Sequence, residues 1–161
     1  MKIKTTDLCD QYTAEVRIAE PVFKDYGATK FFAGPMATVQ TLEDNVLLRQ
    51  VLEEPGRGRV MVVDGGGSLR RALIGGKIAE LARKNGWAGI LIYGCIRDVG
   101  ELAHIQIGVK ALNTIPLRPK KEGIGQKELL VTFAGVTFVP GHYLYADEDG
   151  VIVSAKELTL D

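Results

Sequence analysis

The chain has little of what several specialised protein classes require. Cysteine occurs only at Cys9 and Cys95, too few for a disulfide framework and consistent with a reducing cytosol. Histidine occurs only at His104 and His142, with no H-x-H or H-E-x-x-H spacing, so no zinc site is expected. No apolar run is long enough to cross a bilayer, and the first ten residues, MKIKTTDLCD, lack the apolar core of a secretory leader; a cytoplasmic protein without membrane contact is the expectation. Neither charge sign is in excess, with twenty basic and twenty acidic residues, which argues against nucleic acid as a direct partner. Linkers, repeats and low-complexity tracts are missing. A chain of 161 residues suits one substantial core, and a single domain over 1–161 is expected.

What is present is organised around residues 60–101, VMVVDGGGSLRRALIGGKIAELARKNGWAGILIYGCIRDVGE. Val60, Met61, Val62 and Val63 form a β-branched run suited to a strand covered on both faces. Ile78, Ala79, Leu81 and Ala82 recur at helical spacing, and Asn85-Gly86 supplies a helix stop. Ile90, Leu91, Ile92 and Tyr93 make a second strand. The unit reads as β-α-β with parallel strands and a right-handed connection, so both strand C-termini lie on the edge where open α/β sheets bind ligands.

That edge should carry Asp64, Gly65, Gly66, Gly67, Ser68, Gly94, Arg97 and Asp98. Glycines let backbone N–H groups approach a ligand. Gly75 and Gly76 stand where the helix begins, and the unpaired donors there suit a carboxylate or phosphate. Arg97 offers a planar fork for a carboxylate, and Asp98 offers hard oxygens for a divalent cation such as magnesium. A carboxylate-bearing small molecule plus a metal is one reading. A glycine-rich turn beside a surface Arg-Asp pair is the other, and chemistry alone leaves both open.

The segments TTDLCDQY, EDN (Glu43, Asp44, Asn45), VVDGGGSLRRAL, GWAGILIYGCIRDVGE and YADEDGVIVS resemble the RraA family along essentially the whole chain. That family takes its name from regulators of ribonuclease E activity and belongs with the class II 4-hydroxy-4-methyl-2-oxoglutarate aldolases, which also decarboxylate oxaloacetate. The motif G-x20-R-D-x2-E/D of the enzymatic subfamily is matched by Gly76, Arg97, Asp98 and Glu101. The resemblance implies a swivelling β/β/α fold and a homotrimer. It also implies a magnesium- or manganese-dependent lyase acting on short 2-oxo diacids. In that implied site Arg97 binds the pyruvyl part, Asp98 binds the metal, and Gly75, Gly76, Lys77 and Ile78 bind substrate. Glu101 is a further ligand or orients a water. Two features depart from the larger aldolases: Gly76 replaces their usual aspartate, and they carry a C-terminal extension reaching a neighbouring subunit, whereas this chain stops at Asp161. A further departure is His142 after Pro140-Gly141, where an aspartate is usual. The competing implication is a non-catalytic regulator that grips ribonuclease E.

The remainder reads as an α/β chain whose parallel core is followed by an antiparallel β-meander. Thr5, Thr6 or Asp7 can cap a short helix through Tyr12. Residues 36–42 favour a strand, and Asp44 or Asn45 can cap a helix carrying Val46, Leu47, Val51 and Leu52. Residues 99–104 hold one helical turn, 109–115 a strand, and 117–125 an exposed loop in which Lys120-Lys121 is a solvated pair. Strands over 129–133, 136–139, 143–146 and 151–154 are separated by Ala134-Gly135, Pro140-Gly141 and Asp149-Gly150, all turn chemistry. Dinucleotide and Walker-type phosphate sites fit poorly, because Gly65, Gly67 and Arg70 fail G-x-G-x-x-G and no G-K-[ST] follows. Cys95 beside Arg97 reads as a buried small hydrophobe rather than an activated thiol. Asp147-Glu148-Asp149 lacks the rest of an EF-hand loop. No residues make a convincing methyl-donor site.

Overall fold

The computed structural model describes residues 3–160. In chain order the elements are α1 (Thr5–Gln11), β1 (Val16–Ile18), β2 (Lys24–Asp25), β3 (Phe32–Gln40), α2 (Val46–Leu52), β4 (Val60–Asp64), β5 (Ala72–Ile74), α3 (Gly76–Lys84), β6 (Gly89–Ile96), α4 (Val99–Leu102), β7 (Gly108–Thr114), β8 (Gln126–Lys127), β9 (Val131–Phe133), β10 (Val136–Phe138), β11 (Tyr143–Asp147) and β12 (Gly150–Ser154). The fold is mixed α/β, as expected. The large sheet runs β1-β12-β11-β3-β4-β6-β7-β2, parallel from β3 through β7 and antiparallel on either side. The long strand β3 joins the two kinds: its first half pairs with β11 and its second half with β4.

Period-2 patterning explains the layers. On β4 and β6, Met61, Val63, Ile90 and Ile92 face a helical layer built by Leu48, Leu52, Ile78, Ala79 and Leu102. Val60, Val62 and Leu91, on the opposite face, pack against Val131, Phe133, Val136 and Phe138. Both strands therefore carry an unbroken apolar run, Val60 to Val63 and Ile90 to Ile92, because both faces are covered. A third cluster, Leu8, Val16, Tyr145, Ile152 and Leu158, seats α1 and the C-terminal segment on the antiparallel end.

Three local differences from the sequence reading have physical causes. The C-terminal strands form two hairpins. β9 and β10 make their own two-stranded sheet, closed by Ala134 and Gly135 at φ 50° and 74°, and β11 and β12 join the large sheet. At Pro140-Gly141 the chain crosses to β3 instead of turning back, with Gly141 N–H donating to Met36 O and Met36 N–H to His142 O. Secondly, β5 lies between β4 and α3, where only a loop was expected. Its triplet Ala72-Leu73-Ile74 is too short to show a period, yet it pairs in parallel with Cys95 and Ile96 of β6. Gly94 therefore does not end β6. A Cβ at this position would make only ordinary contact with Leu73 and Ile92, at 3.5 Å. Cys95 is buried, and desolvation pushes its thiol up from its ordinary value, the opposite of what an activated thiolate needs.

The third difference concerns α1. Its own side chains do not cap it. The Asp147 carboxylate instead accepts the Thr5 N–H at 2.8 Å and the Thr5 hydroxyl at 2.7 Å. Burial alone would raise Asp147, but these bonds, with the Asp149 and Gly150 N–H groups, outweigh it and hold the carboxyl below its ordinary value. A depressed carboxyl contributes stability above its unfolded pKa and loses it as pH falls through the folded pKa. Asp147→Ala is therefore expected to cost about 0.5–2 kcal/mol, the usual worth of an N-cap. The difference between parent and variant should vanish on acidification below the carboxylate range. Denaturant unfolding of both proteins at neutral and acid pH checks this; a difference that grows toward acid would contradict it.

Candidate functional site

β5 is what assembles the site. It extends the line of β4 alongside the second half of β6, and Arg97 N–H donates to Ile74 O at 3.0 Å. Gly75, at the start of α3, is thereby set against Arg97 and Asp98 at the end of β6. The Asp98 carboxylate accepts the Gly76 N–H at 3.0 Å, so one anion already occupies the positive end of α3. Ala79 N–H bonds to Gly75 O, which leaves the Lys77 and Ile78 N–H groups without an intrahelical partner. Asp98 itself stands at φ 61°, a left-handed conformation that aspartate tolerates better than most residues but that is uncommon.

A side chain at either helix-start position would meet a carboxylate of the site. A Cβ on Gly75 would lie 2.3 Å from Asp98 Oδ2, and one on Gly76 would lie 2.0 Å from Glu101 Oε2. The Glu101 carboxylate therefore occupies the volume that a side chain at position 76 would take. Because that carboxylate is the far end of an exposed side chain, it can move. Gly76→Ala is expected to leave the melting temperature within a few degrees, since alanine gains roughly 1 kcal/mol of helix propensity over glycine. It should nonetheless displace Glu101 and reduce turnover. Parallel thermal unfolding and activity measurements test this, and unchanged turnover would show that the position of Glu101 is immaterial.

The cavity at this point has a volume of about 250 Å³ and is lined by Gly75, Lys77, Ile78, Arg97, Asp98 and Glu101, with Asn45, Leu73, Ile74 and Pro119 among the others. Five cations border it (Arg49, Lys77, Arg97, Arg118 and Lys121) against two carboxylates, so it favours an anion carrying more than one negative charge. Arg97 is half-buried. Its Nη1 makes one long contact of 3.4 Å with Pro116 O.

The seven residues that the family resemblance implies lie together: six line the cavity, and Gly76 supports Asp98 from the helix. The glycine-rich turn does not line it. Asp64 accepts Gly66 N–H and the Gln40 side chain, and these residues border a separate open depression with Thr41, Leu42 and Gly125. Ser68 turns inward and donates to Glu43 Oε2 at 2.8 Å. That bond, aided by the Arg70 guanidinium, outweighs burial and holds the Glu43 carboxyl below its ordinary value.

Sequence reasoning missed the far wall. Lys121 is not a purely solvated lysine: its ammonium donates to Asn45 Oδ1 at 2.7 Å. Asn45 in turn donates to Leu73 O at 3.0 Å, tying the loop at 117–125 to β5, the strand that leads into Gly75. Asn45 heads α2 without capping it by its side chain; Asp44 accepts the Val46 N–H instead. The only signal in the sequence was the run Glu43-Asp44-Asn45 among the segments of the family resemblance; all three side chains prove to be buried.

Comparison with known proteins agrees with this architecture. The RraA-like family, described as Aldolase/RraA, matches residues 5–153. A protein of Dechloromonas aromatica is 55% identical over 163 residues, covering 99% of this chain and 100% of its own length. One of Alkalilimnicola ehrlichii is 54% identical over 158 residues, covering 98% of each. Both carry the provisional name 4-hydroxy-4-methyl-2-oxoglutarate aldolase. Among solved structures, the RNA-processing inhibitor RraA from Thermus thermophilis superposes with a TM-score of 0.95 at 43% identity, over 99% of this chain and 96% of that one. A Geobacillus kaustophilus protein described as an S-adenosylmethionine:2-dimethylmenaquinone methyltransferase also gives 0.95, at 49% identity over 97% of each chain. With the family matched over residues 5–153 and relatives more than half identical along nearly their whole length, this chain belongs to the RraA-like family.

Proposed function

We propose that this protein is a divalent-metal-dependent lyase that cleaves 4-hydroxy-4-methyl-2-oxoglutarate and decarboxylates oxaloacetate, releasing pyruvate. The observation that carries the reading is the placement of Arg97 and Asp98 side by side in a cation-rich cavity at the start of α3. The provisional names of the relatives point the same way.

The donor set suits a magnesium or manganese ion. Asp98 and Glu101 offer hard carboxylate oxygens at one cavity, and Asp98 spends one hydrogen bond on Gly76. No group of three or more His, Cys, Asp or Glu converges among the described residues. Such a sparse set fits a cation that keeps much of its water shell. Asp98 would hold such an ion, and when bound it would supply Lewis acidity.

The protein's own groups do the rest. The Arg97 fork takes the carboxylate next to the keto group, and the Lys77 and Ile78 N–H groups add donors at the helix start. Arg118 and Lys121 face the second carboxylate. In the aldol substrate the 4-hydroxyl passes its proton to water, its oxygen becomes the keto oxygen of the second pyruvate as the C3–C4 bond breaks, and the electron pair of that bond passes to the enolate of the first pyruvate. In oxaloacetate the same pair is left by departing carbon dioxide. Either enolate is protonated at C3 by water, and Glu101 is the carboxylate placed to orient that water. Purified protein supplied with either substrate should release pyruvate with magnesium present and lose that activity on chelation; no release under either condition would refute the reading.

A second reading is favoured by the Thermus thermophilis RNA-processing inhibitor: the chain grips ribonuclease E through its surface and need not use the cavity. We also infer a homotrimer with the site close to a subunit boundary. Ile18, Leu42, Leu69, Leu117, Ile124 and Leu130 are large apolar side chains left exposed on one chain. Light scattering should give three times the chain mass of 17.5 kDa, and a monomer at micromolar concentration would exclude it.

A further inference from the structure

The Asp44 carboxylate has no part in the chemistry above, yet it is fully buried. Its Oδ1 accepts the Val46 N–H at 3.0 Å, and its Oδ2 accepts the N–H groups of Glu122 and, at 3.0 Å, Gly123. Thr41 ties the same turn, its single hydroxyl proton shared between Asp44 O at 2.9 Å and Ile124 O at 3.2 Å, and Lys120 N–H donates to Glu43 O at 2.7 Å. One side chain thus fixes the head of α2 and both residues that follow Lys121. Burying a carboxylate is costly unless its oxygens are satisfied, and two of the three donors that satisfy it come from the loop forming the far wall of the cavity.

Resting on the lyase reading, we propose that Asp44 is a positioning residue: by clamping Glu122 and Gly123 it sets Lys121, on Asn45, and the loop that carries Arg118 at the distance from Arg97 that a two-carboxylate substrate requires. Asp44 thereby controls selection of diacids over monoacids without touching substrate. Releasing the clamp frees the distal cations and leaves Arg97, Asp98 and the start of α3, which β5 and β6 hold, in place.

The test uses the full chain with magnesium and compares the parent with Asp44→Asn, Glu122→Pro and Lys121→Met. Asp44→Asn keeps the volume but turns a donor toward one of the N–H groups. Glu122→Pro removes a donor from the exposed side of the clamp and keeps the test decisive if the buried substitution does not fold. Turnover gives KM and kcat for oxaloacetate and the inhibition constant of pyruvate. Calorimetry gives the affinity for malonate, a dicarboxylate that needs no turnover. All three variants are expected to raise the oxaloacetate KM and the malonate Kd by about tenfold, while pyruvate inhibition moves by less than about twofold and kcat by less than about threefold, as for lost uniform binding. A merely structural role lowers kcat with the active fraction and leaves KM and malonate affinity unchanged, and that result overturns the proposal. So does a pyruvate constant that rises in step with that of malonate. Parent protein that binds malonate but releases no pyruvate would defeat the lyase reading alone. The malonate-to-pyruvate binding ratio across the variants would still decide the role of Asp44.

Discussion

Arg97→Lys is expected to lower kcat/KM for oxaloacetate by roughly 5- to 150-fold, the equivalent of about 1–3 kcal/mol for a charged hydrogen-bond partner lost from a site. Lysine keeps the charge, so the overall potential of the cavity survives. What it loses is the planar fork that meets a carboxylate with two parallel bonds. The main-chain bond from residue 97 to Ile74 O is indifferent to the side chain, and the fold should therefore persist. The loss should appear chiefly in substrate binding, with the magnesium requirement little changed. If the protein also inhibits ribonuclease E, the same variant should retain inhibition, because the fork lies inside a cavity rather than on an open face. Equal loss of both activities would show that they share one surface.

Asp98→Asn is the complementary experiment. Asparagine retains an oxygen to accept the Gly76 N–H and tolerates the left-handed backbone that Asp98 adopts, so α3 should stay capped. Only the negative charge that attracts the cation is removed. The magnesium concentration for half-maximal activity should rise by about tenfold or more, since 1.4 kcal/mol of lost attraction is already tenfold. Substrate binding at saturating metal should change far less than in the arginine variant. Together the two substitutions separate anion recognition from cation binding at adjacent residues.

The central unit was legible because it obeys simple periodicity. The apolar runs at β4 and β6 and the helical spacing of α3 announce themselves, and the motif from Gly76 to Glu101 needs only sequence spacing. β5 was hidden because three residues cannot display a period, although without it Gly75 would not meet Arg97. The glycine run at 65–67 looked like a ligand loop because glycine permits both a tight turn and a close ligand approach. Here the turn at Asp64 and the inward path to Ser68 explain it. The far wall was illegible for another reason. Lys121 and Asn45 lie 76 positions apart, and no local pattern states that a loop will fold back onto a helix start. Burial of Asp44 is likewise a property of the assembled chain, since in isolation Asp-Asn before an apolar run is an ordinary helix start.

The central claim is that the Arg97–Asp98 cavity is a metal-dependent lyase site. A magnesium titration of pyruvate release from oxaloacetate, run side by side on the parent, Arg97→Lys and Asp98→Asn, tests it most directly. The account predicts activity in the parent that saturates with magnesium. For Arg97→Lys it predicts the same midpoint at reduced activity, and for Asp98→Asn a midpoint shifted to markedly higher magnesium. An Asp98→Asn curve that overlies that of the parent would contradict it.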